Sequence, residues 1–222
     1  MTAAGGVETR APEVPSWRLI VTLAGAGAIV GLCIVLIYRW TLPTIEAHKA
    51  GVLRAAIGEV LHAPERSDTL WLVNGALTTT APANRTSRKA ERVYLGYDKD
   101  GKRIGFAIAG SQTGFAEPIG FIIGYESASH RLLGMKILVS KETPGIADKI
   151  EKPVFTAQFA GAQAPLKGVK VSSGHDATEI AMITGATVSS RAVLKGINMA
   201  IARWQPLLDA YLASPGQPGG RR

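Results

Sequence analysis

The chain has 222 residues, 46% of them hydrophobic and 19% charged, which excludes both a disordered chain and a wholly membrane-embedded one. Its net charge is +8, yet the lysines and arginines are scattered, with no basic run interleaved with aromatics. That pattern disfavours a nucleic-acid partner and favours a basic face toward an anionic membrane or an acidic protein. The single cysteine, Cys33, excludes an intrachain disulfide and any CxxC site for zinc or an iron–sulfur cluster.

Residues 1–16 form a small, polar, proline-containing arm, expected to be disordered. Leu19 through Tyr38 is an almost unbroken apolar run. A bilayer needs about 20 residues of helix, and this run supplies them. Trp17-Arg18 and Tyr38-Arg39-Trp40 flank it as interfacial anchors. A cleaved signal peptide would have a shorter apolar region and a small-residue cleavage site, so a retained transmembrane helix over 17–40 is expected. Gly27 and Gly31 carry the spacing of a helix-packing face. Arg10 and Arg18 precede the run, while Arg39, Lys49 and Arg54 follow it. This charge balance slightly favours a cytoplasmic C-terminal side.

After Pro43, Ile45 to Leu61 has helical periodicity, with Ile45, Val52, Leu53, Ile57, Val60 and Leu61 near one face. Leu70 to Val73 is a short apolar patch in the connecting segment, which runs to residue 91. Pro82 to Lys89 reads as a loop. Arg92 to Tyr97 alternates into the turn Asp98-Lys99-Asp100-Gly101, and Arg103 to Ala109 returns from it. Gly110 to Gly120 reads as a glycine-bounded loop without a dinucleotide fingerprint. Phe121 to Tyr125 and Leu132 to Val139 form a further strand pair. Val188 to Leu212 repeats apolar residues at helical spacing, and Pro206 is expected to kink or interrupt it. Strands followed by a closing helix predict an α+β domain over 92–212, an antiparallel sheet with a C-terminal helix. Residues 213–222 read as a disordered tail.

Two stretches can carry chemistry. Ile183-Thr184-Gly185-Ala186-Thr187-Val188-Ser189-Ser190 sets small residues between two threonines, immediately before the last helical pattern. Gly185 and Ala186 let a ligand approach the backbone. The first turn supplies orphan N–H groups and the positive end of the helix dipole, which suit a phosphate. Arg191 and Lys195 add charge along the helix. On local physics alone the same residues read first as a plain helix cap, with Thr187 or Ser189 as N-cap. The second stretch, Lys141-Glu142-Thr143-Pro144-Gly145, follows an apolar strand and turns at Pro144-Gly145. It places Glu142 and Thr143 at a strand end, or Thr143 as the cap of a short helix. His48, His62, His130 and His175 are isolated, and no two share metal-ligand spacing, so no metal site is expected. A hydrolase reading of Thr187 or Ser189 lacks a partner base, His175 being merely the nearest candidate.

The anchor, the Glu142-Thr143-Pro144-Gly145 and Asp148-Lys149-Ile150 stretch, and Thr184-Gly185-Ala186-Thr187 before the last helix together resemble the FMN-binding domain family. The pattern is similar to the G subunits of bacterial Rnf-type electron-transport complexes. The resemblance covers about Trp17 to Tyr211. It implies FMN joined by a phosphoester to Thr187 and installed by a flavin transferase. Thr184, Gly185, Ala186 and Ser189 would surround the phosphate, with Glu142 and Thr143 near the flavin. It also implies an inner-membrane protein with its amino terminus inside and its domain extracytoplasmic, against the slight charge bias. The implied role is electron relay within an ion-translocating ferredoxin:NAD oxidoreductase, among other membrane subunits. Alternatives are the C subunit of a sodium-translocating NADH:quinone oxidoreductase, or an anchored scaffold without flavin. Two positions depart from the family pattern. Ala181 stands where an aspartate usually precedes the threonine by six residues, with Asp176 and Glu179 nearby. Ser140 and Lys141 stand where a histidine often precedes the Glu-Thr-Pro-Gly run.

Overall fold

A computed structural model describes residues 15–82, 90–142 and 148–214 of the chain. Residues 1–14, 83–89 and 215–222 therefore lie outside it, and with them the expected disordered arm, most of the loop before Glu91 and most of the tail. Thr143 and the Pro144-Gly145 turn lie outside the described residues as well.

Helix α1 runs unbroken over Ser16–Val60, with Pro43 inside it. The helical pattern expected over Ile45 to Leu61 continues the apolar helix, which absorbs the proline. A proline removes one donor from the helical ladder, a loss that membrane helices commonly tolerate. Compact units divide after Ala50. The first is the apolar span, long and apolar enough to cross a membrane, with Leu23, Ile29, Ile34 and Ile37 exposed along it. The guanidinium of Arg18 lies 5.5 Å from the ring centroid of Trp17, as expected of an interfacial pair.

The second unit is built on a six-stranded antiparallel sheet in the order β2-β1-β3-β4-β5-β6. The strands are β1 (Arg66–Val73), β2 (Ala76–Thr78), β3 (Arg92–Tyr97), β4 (Arg103–Thr113), β5 (Pro118–Glu126) and β6 (Arg131–Val139). Strands β3 to β6 are the expected meander. Hairpin β1–β2 was not expected. It turns on Asn74 and Gly75, both at positive φ (50° and 81°), the geometry of a two-residue hairpin turn. The stretch expected as an eleven-residue loop from Gly110 is mostly strand. Residues 110–113 extend β4 and 118–120 open β5, so the loop shrinks to Gly114–Glu117.

Alternation along the strands sorts two cores. Val93, Leu95, Phe106, Ile108, Phe121, Ile123 and Tyr125 face one side, where α3 (Thr187–Ala213) covers them. Tyr94, Ala107 and Ile122 face the other, where Ala56, Ile57, Val60 and Leu61 pack from the end of α1. Helix α3 buries Val193, Ile197, Ile201, Trp204, Leu208 and Tyr211, a stripe at three- and four-residue spacing. Each such aliphatic or aromatic side chain contributes roughly 2 kcal/mol on burial. The stripe continues past Pro206, which the helix accommodates without ending. Gly196 lets α3 approach the sheet, since a Cβ there would lie 2.7 Å from Phe121.

The chain between β6 and α3 was not legible as elements. It contains a 3-10 turn (Asp148–Glu151), the short α2 (Pro153–Thr156), a second 3-10 turn (Ala157–Phe159), and a parallel pair, β7 (Lys167–Val169) with β8 (Glu179–Ala181). Its core contribution is aromatic: Phe155 and Phe159 meet edge-on at 5.2 Å between centroids.

Candidate functional site

The start of α3 is set by a tight turn. The N–H of Ala186 donates to the carbonyl of Ile183 at 3.0 Å, and Gly185, third in the turn, has φ +85°. That conformation is strained for residues with a Cβ, which explains the glycine. Ala186 is the N-cap and gives no side-chain bond to the helix. The expectation that Thr187 or Ser189 caps the helix is therefore corrected: both are helical residues. Ser190 anchors the turn instead, its hydroxyl donating to the Ala186 carbonyl (2.9 Å) and accepting from the Ile183 N–H (3.2 Å).

Thr187 is exposed, and its hydroxyl makes no hydrogen bond among the described residues. The N–H groups of Thr187, Val188 and Ser189 find no acceptor there either. Three free donors at the positive end of a 27-residue helix form a ready anion site. Of the four hydroxyls in this stretch, Ser189 and Ser190 are buried and bonded, while Thr184 and Thr187 are exposed. Arg191 and Lys195 follow Thr187 at four and eight residues, on the same helix face, without a carboxylate partner among the described residues. They border a cavity of about 330 Å³ with Gly168, Met182, Asn198 and Met199. A cavity of about 470 Å³ between β4 and α3 does not reach Thr187.

Glu142 and Ser189, 47 residues apart in sequence, meet behind this turn. The Ser189 hydroxyl donates to Oε2 of Glu142 at 2.7 Å. Oε1 accepts from the N–H groups of Phe115 (3.0 Å) and Ala116 (3.3 Å) in the β4–β5 loop. Glu142 is 6% exposed and Ser189 1%. A buried carboxylate with three donors is satisfied, and its bonds join three elements. Sequence reading placed Glu142 and Ser189 at the site but missed that they bond to each other, and it missed Phe115 and Ala116.

The departing positions are occupied in an ordinary way. Ala181 on β8 is held by its backbone, its N–H donating to Oε1 of Gln158 (2.8 Å) and its carbonyl accepting from Nε2 (3.3 Å). The Thr178 hydroxyl and N–H hold the Asp176 carboxyl below its usual range, with Lys167 at 3.7 Å. The N–H and hydroxyl of Ser173 do the same for Glu179. Both carboxylates are thus committed to local bonds. Ser140 accepts the Glu142 N–H (3.3 Å), and Lys141 pairs with Glu117 at 2.9 Å. No histidine or carboxylate among the described residues bonds the Thr187 hydroxyl.

Residues 114–202 match the FMN-binding domain family. The chain is a homologue of proteins named as G subunits of ion-translocating oxidoreductase complexes. It is 36% identical over 118 residues to the G subunit of the Na(+)-translocating ferredoxin:NAD(+) oxidoreductase complex of Acetobacterium woodii, covering 52% of this chain and 56% of the relative. It is 24% identical over 184 residues to the G subunit of the ion-translocating oxidoreductase complex of Methanosarcina acetivorans, covering 83% and 92%. With the corresponding G subunit of Stutzerimonas stutzeri it shares 36% over 96 residues, 41% of each chain. The chain thus spans about half the length of the two bacterial relatives. Among solved structures, that of Shewanella oneidensis NqrC superposes with a TM-score of 0.61 at 16% identity, covering 74% of this chain and 99% of that one, which establishes a shared fold.

Proposed function

We propose that this chain is a membrane-anchored flavoprotein subunit that relays electrons within an Rnf-type ion-translocating ferredoxin:NAD oxidoreductase complex. The observation that carries the reading is the exposed Thr187 hydroxyl at the start of α3, unbonded among the described residues and within the stretch that matches the FMN-binding domain family. In this reading FMN is held covalently, by a phosphoester to Oγ1 of Thr187, installed by a flavin transferase. FMN supplies the redox chemistry; the protein holds and orients it. The N–H groups of Thr187, Val188 and Ser189 and the helix dipole stabilise the phosphate. Gly185 and Ala186 keep the approach open, and Thr184 offers a second hydroxyl beside it. Ser189 and Glu142 brace the turn from behind, and the family resemblance carries Thr143 over as a further neighbour of the flavin. A covalent tether keeps the cofactor from diffusing away while its edge stays open to partner subunits.

The test is mass spectrometry of the full chain purified from its native membrane. The peptide containing Thr187 is expected to gain the mass of FMN less one water, to lose that gain in Thr187→Val and to keep it in Thr184→Val. An unmodified wild-type peptide from flavin-replete cells sinks covalent attachment.

The reading also sets the topology: amino terminus in the cytoplasm, FMN domain outside the inner membrane. A reporter fused after Arg222 that is active only outside the cytoplasm is expected to be active. Activity of a cytoplasm-dependent reporter at the same position reverses the orientation.

A further inference from the structure

Single exposed hydrophobic residues are ordinary on protein surfaces. Phe115 differs in how it is held. It is 71% exposed, yet its N–H donates to Oε1 of the buried Glu142 at 3.0 Å. The loop that carries it is closed by a bond from the Gly114 N–H to the Glu117 carbonyl (3.0 Å). Gly114 leaves space for the carboxylate, since a Cβ there would come within 2.3 Å of Oε1. The other oxygen of that carboxylate takes the Ser189 hydroxyl, two residues beyond Thr187. One buried group therefore fixes both the loop bearing Phe115 and the helix turn bearing Thr187. Beside Thr187, Val188 is also left 55% exposed.

We propose that Phe115 is the aromatic wall against which the isoalloxazine of FMN on Thr187 packs, and that Glu142 is the positioning residue that sets it there. The inference rests on the flavin reading above. A planar ring system is held by offset or edge contact with an aromatic side chain, and phenylalanine provides that face without adding a titrating group. Glu142 acts through Ser189 and the loop, because its oxygens are already directed inward to three donors. The arrangement is preorganised: neither the wall nor the attachment point has to be ordered when the cofactor arrives.

The experiment uses the full-length, flavin-loaded chain, with the Thr187 peptide mass measured first in every variant. Flavin emission per bound flavin is then compared for wild type and Phe115→Trp. An indole in van der Waals contact quenches flavin emission by electron transfer, and a phenyl ring does not. Emission is expected to fall several-fold in Phe115→Trp, and flavin anisotropy to fall in Phe115→Ala. Adding Glu142→Ala to Phe115→Trp is expected to restore much of the emission, and adding Glu142→Gln to restore little. Should Glu142→Ala fail to load flavin, Ser189→Ala, which cuts only the link to α3, is read in its place. Equal emission per flavin in wild type and Phe115→Trp overturns the wall. Quenching that is indifferent to both Glu142→Ala and Ser189→Ala overturns the positioning role. A wild-type chain without the FMN mass overturns the flavin reading itself, and is seen before any emission is measured.

Discussion

Replacing Glu142 by alanine is expected to lower the stability of the unit built on the six-stranded sheet by about 3 kcal/mol. Three donors lose their acceptor at once: the N–H groups of Phe115 and Ala116 and the hydroxyl of Ser189. An unsatisfied buried donor costs roughly 1–3 kcal/mol. Ser189, 1% exposed, feels the full penalty, while water reaches the two loop donors more easily because Phe115 is largely exposed. Removing the carboxylate also removes the cost of desolvating it, which offsets part of the loss. Glu142→Gln separates the terms. Its amide oxygen still accepts from both loop N–H groups, and the Ser189 hydroxyl can rotate to accept from the amide nitrogen. It is expected to cost only about 1 kcal/mol, the charge-assisted share of the bonds. Thermal unfolding of the detergent-solubilised full chain reads the difference, as a fall in Tm of roughly 6–12 °C for alanine. Alanine and glutamine variants of equal stability would show that the carboxylate braces nothing.

Much of this architecture is legible in the sequence, for identifiable reasons. The meander from Arg92 to Val139 is read because its residues alternate between two apolar faces, one toward α3 and one toward the end of α1. Helix α3 is read because its buried stripe keeps helical spacing through Pro206. Hairpin β1–β2 was missed because Arg66-Ser67-Asp68-Thr69 looks like loop. Asn74-Gly75, a strong short-range hairpin signal, stood between the two strands. The extension of β4 through Gly110-Ser111-Gln112 was missed because glycine and polar residues disguise a strand whose partner is set by tertiary pairing. At the site, Thr184 to Ser190 announces a helix start, and the structure decides which of its hydroxyls is free. The Glu142–Ser189 bond spans 47 residues, and no local pattern encodes a contact at that distance. Local capping rules even pointed the wrong way. They offered Ser189 as a cap, whereas its hydroxyl turns inward to a buried carboxylate.

Gly124→Ala is expected to destabilise the same unit by about 3 kcal/mol, although it adds one methyl group to a strand. Gly124 lies in the middle of β5, between Ala107 of β4 and Gly134 of β6, on the face covered by the end of α1. A Cβ at 124 would stand 2.1 Å from the carbonyl oxygen of Val60, 3.0 Å from its carbon and 3.1 Å from Cβ of Leu133. A side chain can rotate away from such an intrusion; a backbone carbonyl at a helix end cannot. Relief requires the last turn of α1 to lift from the sheet. That exposes Ala56, Ile57, Val60 and Leu61, the residues that fill this smaller core. Gly134, across the ladder, is the internal control. Its Cβ would meet Val60 at 3.6 Å, an ordinary contact, so Gly134→Ala is expected to be near neutral. Both substitutions relieve the entropic cost of glycine in a strand to the same degree, so their difference isolates the close approach. Denaturant midpoints of the two variants make the comparison, and equal midpoints would mean that α1 does not rest on Gly124. A large difference would identify this glycine as the point where the last turn of α1 is seated on the sheet.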